Sequence, residues 1–98
     1  MNYNVITSGT KMVIELFGRL DTTTAPKLDG YLRDSLEGIS ELCVDMQQLE
    51  YISSAGLRVL LAAQKKMDKQ GKMIVTGCRE EIIEILDITG FSEILTIE

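Results

Sequence analysis

The chain has 98 residues, a formal net charge of −5 and no histidine. A chain of this length makes one small domain that buries roughly 60–65% of its unfolded surface, and 45% apolar residues supply a core without a disulfide or metal staple. The acidic balance excludes general nucleic-acid affinity, which needs a basic surface to neutralise phosphates, and it weighs against docking on anionic lipid. Cys43 and Cys78, the only cysteines, sit among strand-like residues and read as free buried thiols that pack like small hydrophobes. With no histidine and no second thiol nearby, a zinc cluster is excluded, and no cofactor is expected. The opening Met-Asn-Tyr-Asn lacks the basic and apolar regions of a signal peptide, and no apolar run approaches membrane-spanning length. The expected setting is a reducing cytoplasm, without membrane insertion.

Residues 4–7 and 11–17 predict two strands joined by a turn at Ser8, Gly9 and Thr10. Met12, Ile14 and Leu16 alternate with Val13, Glu15 and Phe17, so one face is core and the other mixed. Gly18 is expected to end this strand. Asp21, Thr22, Thr23 and Thr24 offer N-caps, and Pro26 suits a first helical turn. Leu28, Leu32 and Leu36, with Ala25 and Tyr31, mark the buried stripe of that helix, and Gly38 stops it. Leu42, Val44 and Met46 face one way on the next strand, which is expected to end near Met46 and give way to a polar linker. Ser53, Ser54, Ala55 and Gly56 open a second helix that runs to about Gln70, with Gly71 as a left-handed cap. A strand over 73–76 follows, then a third helix over 80–88 with acidic residues in its first turn, a turn at Gly90 and Phe91, and a last strand over 94–97.

The order β-β-α-β-α-β-α-β predicts a single α/β domain over residues 1–98. Its mixed sheet has about four to five strands, with about three to four helices packed on it. Strands separated by helices pair in parallel through right-handed crossovers, and the opening hairpin adds an antiparallel pair.

The second helix carries the most informative residues. Ser53 and Ser54 stand at the positive end of its dipole, where free backbone N–H groups welcome a doubly charged phosphate; the same residues read equally as N-caps. At about 100° per residue, Leu57, Leu60, Leu61, Gln64 and Met67 gather on one side, and Arg58, Lys65, Lys66 and Lys69 on the other. Ala55, Val59 and Ala62 fall between the bases on the expected wet face, where a helix built for solubility carries Glu, Gln or Lys. They read as a contact patch, or simply as good helix formers. Catalysis finds no support: there is no histidine for a base, no glycine-rich phosphate loop and no base beside Ser54. Asp21 and Asp45 read as caps in preference to a carboxylate pair.

The segments YISSAGLRVLL, LCVDMQQLE, RLDTTTAPKL and GKMIVTG together resemble the STAS domain over essentially the whole chain. More narrowly they resemble the bacterial anti-sigma factor antagonists that are controlled by phosphorylation. The resemblance implies a partner that is both anti-sigma factor and serine kinase, sigma release by the unphosphorylated form, and resetting by a metal-dependent serine phosphatase. Aligning the family's Gly-Leu pair on Gly56 and Leu57 places the phosphoacceptor at Ser54, with Ser53 as second choice, and the family's early-loop aspartate at Asp21. The implied partner-binding set is Asp21, Thr22, Ser53, Ser54, Ala55, Arg58, Val59 and Ala62. Two departures stand out: Ser53 where these antagonists carry Asp, and Arg58 where they often carry Gly. Arg58 is one turn from Ser54, at the spacing of an i, i+4 pair with a phosphate. The family also holds accessory subunits that dock permanently on a transporter ATPase, for which the same helix face would serve without phosphate.

Overall fold

The alternation at residues 11–17 becomes a strand whose even positions are buried and whose odd positions are half-covered from Val13 on, and Leu42, Val44 and Met46 repeat the pattern one strand away. A computed structural model, which describes residues 2–98, has four strands: β1 (Asn2–Ser8), β2 (Lys11–Leu20), β3 (Glu41–Ile52) and β4 (Lys72–Thr76). They lie side by side in the order β1-β2-β3-β4. The first pair is antiparallel and the other two are parallel. Helices α1 (Ala25–Ser35) and α2 (Ser54–Asp68) make the two crossovers, and α3 (Glu80–Thr89) follows β4. Because sheet order follows chain order, right-handed crossovers stack successive helices on the same face. Leu28 and Leu32 of α1, Leu57, Leu60 and Met67 of α2, and Ile82 and Leu86 of α3 accordingly join the inward strand residues in one core. Among the described residues, the opposite face of the sheet carries no helix.

The strands run further than their patterns suggest. β2 continues through Gly18 to Leu20, and β3 continues from Met46 to Ile52, where a linker was expected. The register between them shifts between Glu15 and Phe17 and again between Gly18 and Arg19, each time placing an extra residue on β3. Such bulges break the period of two. Gln47 and Gln48 are both exposed, which is why an unbroken strand reads there as a polar loop.

The last strand shrinks to a single parallel bridge, Val75 to Ile97. It is held by Val75 N–H to Thr96 O at 2.8 Å and Glu98 N–H to Val75 O at 2.9 Å. The 3-10 turn at Phe91–Glu93 holds the next two residues as well, since Ile94 N–H and Leu95 N–H both donate to Phe91 O, at 3.0 and 2.8 Å, and do not extend the bridge. Gly71 is no left-handed cap either: the positive-φ glycines are Gly9, Gly18, Gly38, Gly77 and Gly90. A side chain at Gly71 would instead run into the backbone of Ser40, whose carbonyl accepts Lys72 N–H at 2.9 Å as β4 joins the sheet.

Candidate functional site: the serine end of helix α2 and the groove beside it

The two bulges decide where the site lies. They bring Leu20 opposite Ile52, so β2 and β3 leave the sheet together, and Ser53 N–H donates to Leu20 O at 2.9 Å. The Asp21 loop and the serine junction are thereby neighbours. Gly56 lets α2 sit down on this end of the sheet: a Cβ there would lie 2.8 Å from Leu20 Cγ, 2.8 Å from Ile52 Cγ1 and 2.9 Å from Leu20 O.

Ser53 is the N-cap, in extended conformation, and its hydroxyl oxygen accepts Gly56 N–H at a long 3.5 Å. Ser54 is the first residue of α2 and is exposed. Among the described residues its hydroxyl makes no hydrogen bond, and the backbone N–H groups of Ser54 and Ala55 have no acceptor. A helix start with free donors and a free hydroxyl favours negative charge. Arg58 is exposed one turn further on and forms no ion pair among the described residues.

Asp21 is fully engaged by its own loop. Its Oδ1 accepts from Thr23 Oγ1 at 2.8 Å, Thr23 N–H at 3.1 Å and Thr24 N–H at 3.2 Å. Thr24 Oγ1 in turn accepts Asp21 N–H at 2.8 Å and donates to Arg19 O at 2.9 Å. The Thr23 hydroxyl is the main reason the Asp21 carboxyl titrates below the usual carboxylate range, partial desolvation working against it and the backbone donors reinforcing it. Arg19, whose Nε is 3.8 Å from Asp21 Oδ2, lies 4.3 Å over the ring of Tyr51. The loop is a fixed, anionic wall.

Between α1 and α2 runs a groove of about 430 Å³ that gathers Ala55, Arg58, Val59 and Ala62 of α2 on one side and Ala25, Pro26, Asp29 and Arg33 of α1 on the other, with Thr22 from the loop that leads into α1. Five of the eight expected partner-binding residues therefore share one concavity, with Ser53, Ser54 and Asp21 at the α2 end of it. Val59 differs from expectation: it is buried, with 7% exposure, because α2 packs against α1 as well as the sheet. The same rotation of the buried arc covers Ala63 and leaves Leu61 only half-buried. Ala55 is half-buried and Ala62 exposed, so the groove has an apolar floor with polar shoulders. Asp29 and Arg33 pair at 2.9 Å on the α1 shoulder. That wall was missed from the sequence, although Pro26, Asp29 and Arg33 recur at the spacing of one helix face. Gly56 was overlooked as a positioning residue.

Other candidates lie elsewhere. Asp45 sits beside Glu15 in mid-sheet and accepts Gln47 N–H at 2.9 Å, so it does not join Asp21. Cys43 and Cys78 are free and half-buried, less covered than expected, and burial pushes the Cys78 thiol up. Among the described residues no three His, Cys, Asp or Glu side chains gather as a metal site, and no helix is long and apolar enough to cross a membrane.

This architecture, a mixed sheet covered on one face with a serine-led helix at its end, is that of a small STAS-type α/β domain. The STAS domain model matches residues 2–98, and the chain belongs to that family, on its anti-sigma factor antagonist branch. It is 32% identical over 90 residues to the anti-sigma-B factor antagonist of Listeria monocytogenes, covering 87% of this chain and 78% of that one. An anti-sigma factor antagonist from Mycobacterium paratuberculosis superimposes with a TM-score of 0.87 at 22% identity, over 98% of this chain and 83% of the other. The Bacillus antagonist SpoIIAA matches at 14% identity in both of its solved forms. The unphosphorylated form gives a TM-score of 0.78 over 99% of this chain and 87% of that one. The phosphorylated form gives 0.77 over 99% and 91%.

Proposed function

We propose that this chain is a phosphorylation-controlled anti-sigma factor antagonist in which Ser54 is the switch. The unphosphorylated form binds an anti-sigma factor with serine kinase activity and so frees the sigma factor. A metal-dependent serine phosphatase restores that form after phosphorylation. The observation that carries the reading is the exposed, uncommitted hydroxyl of Ser54 at the start of α2, flanked by the Asp21 wall and the mouth of the α1–α2 groove. Ser53 is the poorer acceptor because its hydroxyl faces Gly56 N–H.

The chemistry follows from charge. A phosphoserine adds about −1.5 to −2 charge, which the free N–H groups of the first turn and the unpaired Arg58 receive without refolding. The near-equal match to both SpoIIAA forms supports a fold that keeps its shape. The contact surface does change, because a dianion pressed against a partner must be desolvated and the single charge of Arg58 neutralises only part of it. A penalty of about 3 kcal/mol is enough for a more than hundredfold loss of affinity. In this reading the chain is substrate and ligand, and the catalytic groups belong to its kinase and phosphatase. Incubation with ATP and the cognate anti-sigma kinase, followed by peptide mass spectrometry, tests it. Phosphate on Ser54 that is lost in Ser54→Ala supports the reading, and failure to modify either serine refutes it.

A further inference from the structure

Charge is segregated along this chain. Residues 80–98 hold six carboxylates and no base, so residues 1–79 hold all ten bases and the other nine of the fifteen acids. Helices α2 and α3, neighbours on the covered face of the sheet, divide the same way. From Ser54 to its cap Lys69, α2 carries Arg58, Lys65, Lys66 and Lys69 against Asp68, which Gln64 Nε2 already meets at 2.8 Å. In contrast, α3 carries Glu80, Glu81, Glu84 and Asp87 and no base. At about 100° per residue, Arg58, Lys65 and Lys69 point away from the sheet on α2, around the exposed Ala62. On α3 the outward arc is Glu80, Glu81 and Glu84, around Ile88, which is 85% exposed. Among the described residues none of these bases or carboxylates forms an ion pair.

We propose that α2 and α3 form a self-association surface, on which two copies pack helix layer to helix layer about a two-fold axis parallel to both helices and between them. Charge selects the occupant and the axis. Each helix follows a strand of the parallel set and packs on the same side, so the two run in the same direction. The rotation keeps that direction and exchanges their places, setting α2 of each copy on α3 of the other. Both contacts then join bases to carboxylates, with Ile88 and Ala62 adding apolar surface. Packed helices lie 8–10 Å apart, so like-charged helices meet only across the diagonal of the four, beyond the Debye length of about 8 Å at physiological salt. A two-fold across the helices would instead set α2 on α2 and α3 on α3, like on like. The isologous contact closes as a dimer, and the inference does not depend on whether Ser54 is phosphorylated.

Two helix pairs about 15 Å long and one helix wide project to roughly 300 Å², so the buried area falls below that of a standard stable interface. The dimer is therefore a weak one, with a Kd on the order of 100 µM. Sedimentation equilibrium of the whole chain from roughly 10 µM to 1 mM, a range that brackets this Kd, should show a monomer–dimer equilibrium that weakens at about 0.5 M salt. Lys65→Glu with Lys69→Glu makes an acidic variant, and Glu81→Lys with Glu84→Lys a basic one. All four positions are exposed and both residue types form helices well, so circular dichroism should be unchanged. Each variant alone should associate roughly tenfold more weakly than the parent, and an equimolar mixture roughly tenfold more tightly than either, because one parental contact survives in the mixed pair. A folding defect cannot imitate that rescue. Bulk repulsion predicts otherwise: the acidic variant stands at −9 (−5 − 4) and the basic one at −1 (−5 + 4), so net charge alone would make the basic variant the best self-associator. A parent chain monomeric across this range overturns the proposal, as does a mixture no tighter than its components or a basic variant tighter than the parent. A monomer whose anti-sigma factor binding falls in the acidic variant overturns it too, since the face would then belong to that partner.

Discussion

Two neighbouring strand-to-helix junctions leave the same end of the sheet, and they are built in opposite ways. At the β2–α1 junction the capping groups are occupied: Asp21 Oδ1 accepts three hydrogen bonds from the loop that follows it, and Thr24 ties the loop back to Arg19. At the β3–α2 junction the cap bond is long, at 3.5 Å, and the Ser54 hydroxyl is free. Satisfied groups hold geometry, whereas unsatisfied groups at a helix start keep their capacity to receive charge. The first junction is a template and the second a receptor, and Leu20 O joins them by accepting Ser53 N–H at 2.9 Å.

The largest effects should come from the receptor side. Ser54→Asp should keep the circular dichroism spectrum and lose anti-sigma factor binding by about a hundredfold or more, the equivalent of roughly 3 kcal/mol, as read by calorimetry. Collapse of the fold would mean that Ser54 is a structural cap and erase the contrast between the junctions. Gly56→Ala comes next. Its Cβ would meet Leu20 and Ile52 at 2.8 Å, and overpacking of this kind is destabilising by about 1–3 kcal/mol. For a chain of this size that is a fall of roughly 4–8 °C in Tm per kcal/mol. Leu20→Ala, the loss of a fully buried side chain, should cost less in the Gly56→Ala background than in the parent, because it removes one of the two side chains in the way.

Much of this was legible beforehand, and the exceptions share a cause. The hairpin, the three helices and the serine junction follow from period, caps and turn residues, each a local signal. The extension of β3 through Gln47 and Gln48 was hidden because bulges depend on the partner strand, which no single segment reveals. The burial of Val59 was hidden for a related reason: a helical wheel gives one inward direction, but α2 has two neighbours, the sheet and α1. Pro26, Asp29 and Arg33 gain meaning only when α1 lies against α2. Ser53 and Ser54 were legible as a helix start because a cap is chemistry within a few residues of chain, whereas the pairing of Ser54 with Asp21 was an expectation from the family resemblance. Their adjacency to one another was not local, and only the register of Leu20 with Ile52 supplies it.

Two smaller effects sharpen the contrast. Ser53→Ala should lower stability by about 0.5–1 kcal/mol, at the weak end of N-cap losses because the bond is long, and urea melts would resolve it. On the template side the test is titration. The Asp21 carboxyl sits below the ordinary range, chiefly through the Thr23 hydroxyl, so its hydrogen bonds contribute fully above the unfolded pKa of about 3.9 and are lost as pH falls through the depressed folded value. The amide resonances of Thr23 and Thr24 should therefore report a midpoint lower than that of an exposed aspartate. Thr23→Val removes the leading cause and leaves the backbone donors in place, so the midpoint should rise toward the ordinary value while the loop keeps its shape. An unchanged midpoint would mean that the backbone alone holds the carboxylate, and the wall beside Ser54 would then owe its charge to geometry that any sequence of this loop could supply.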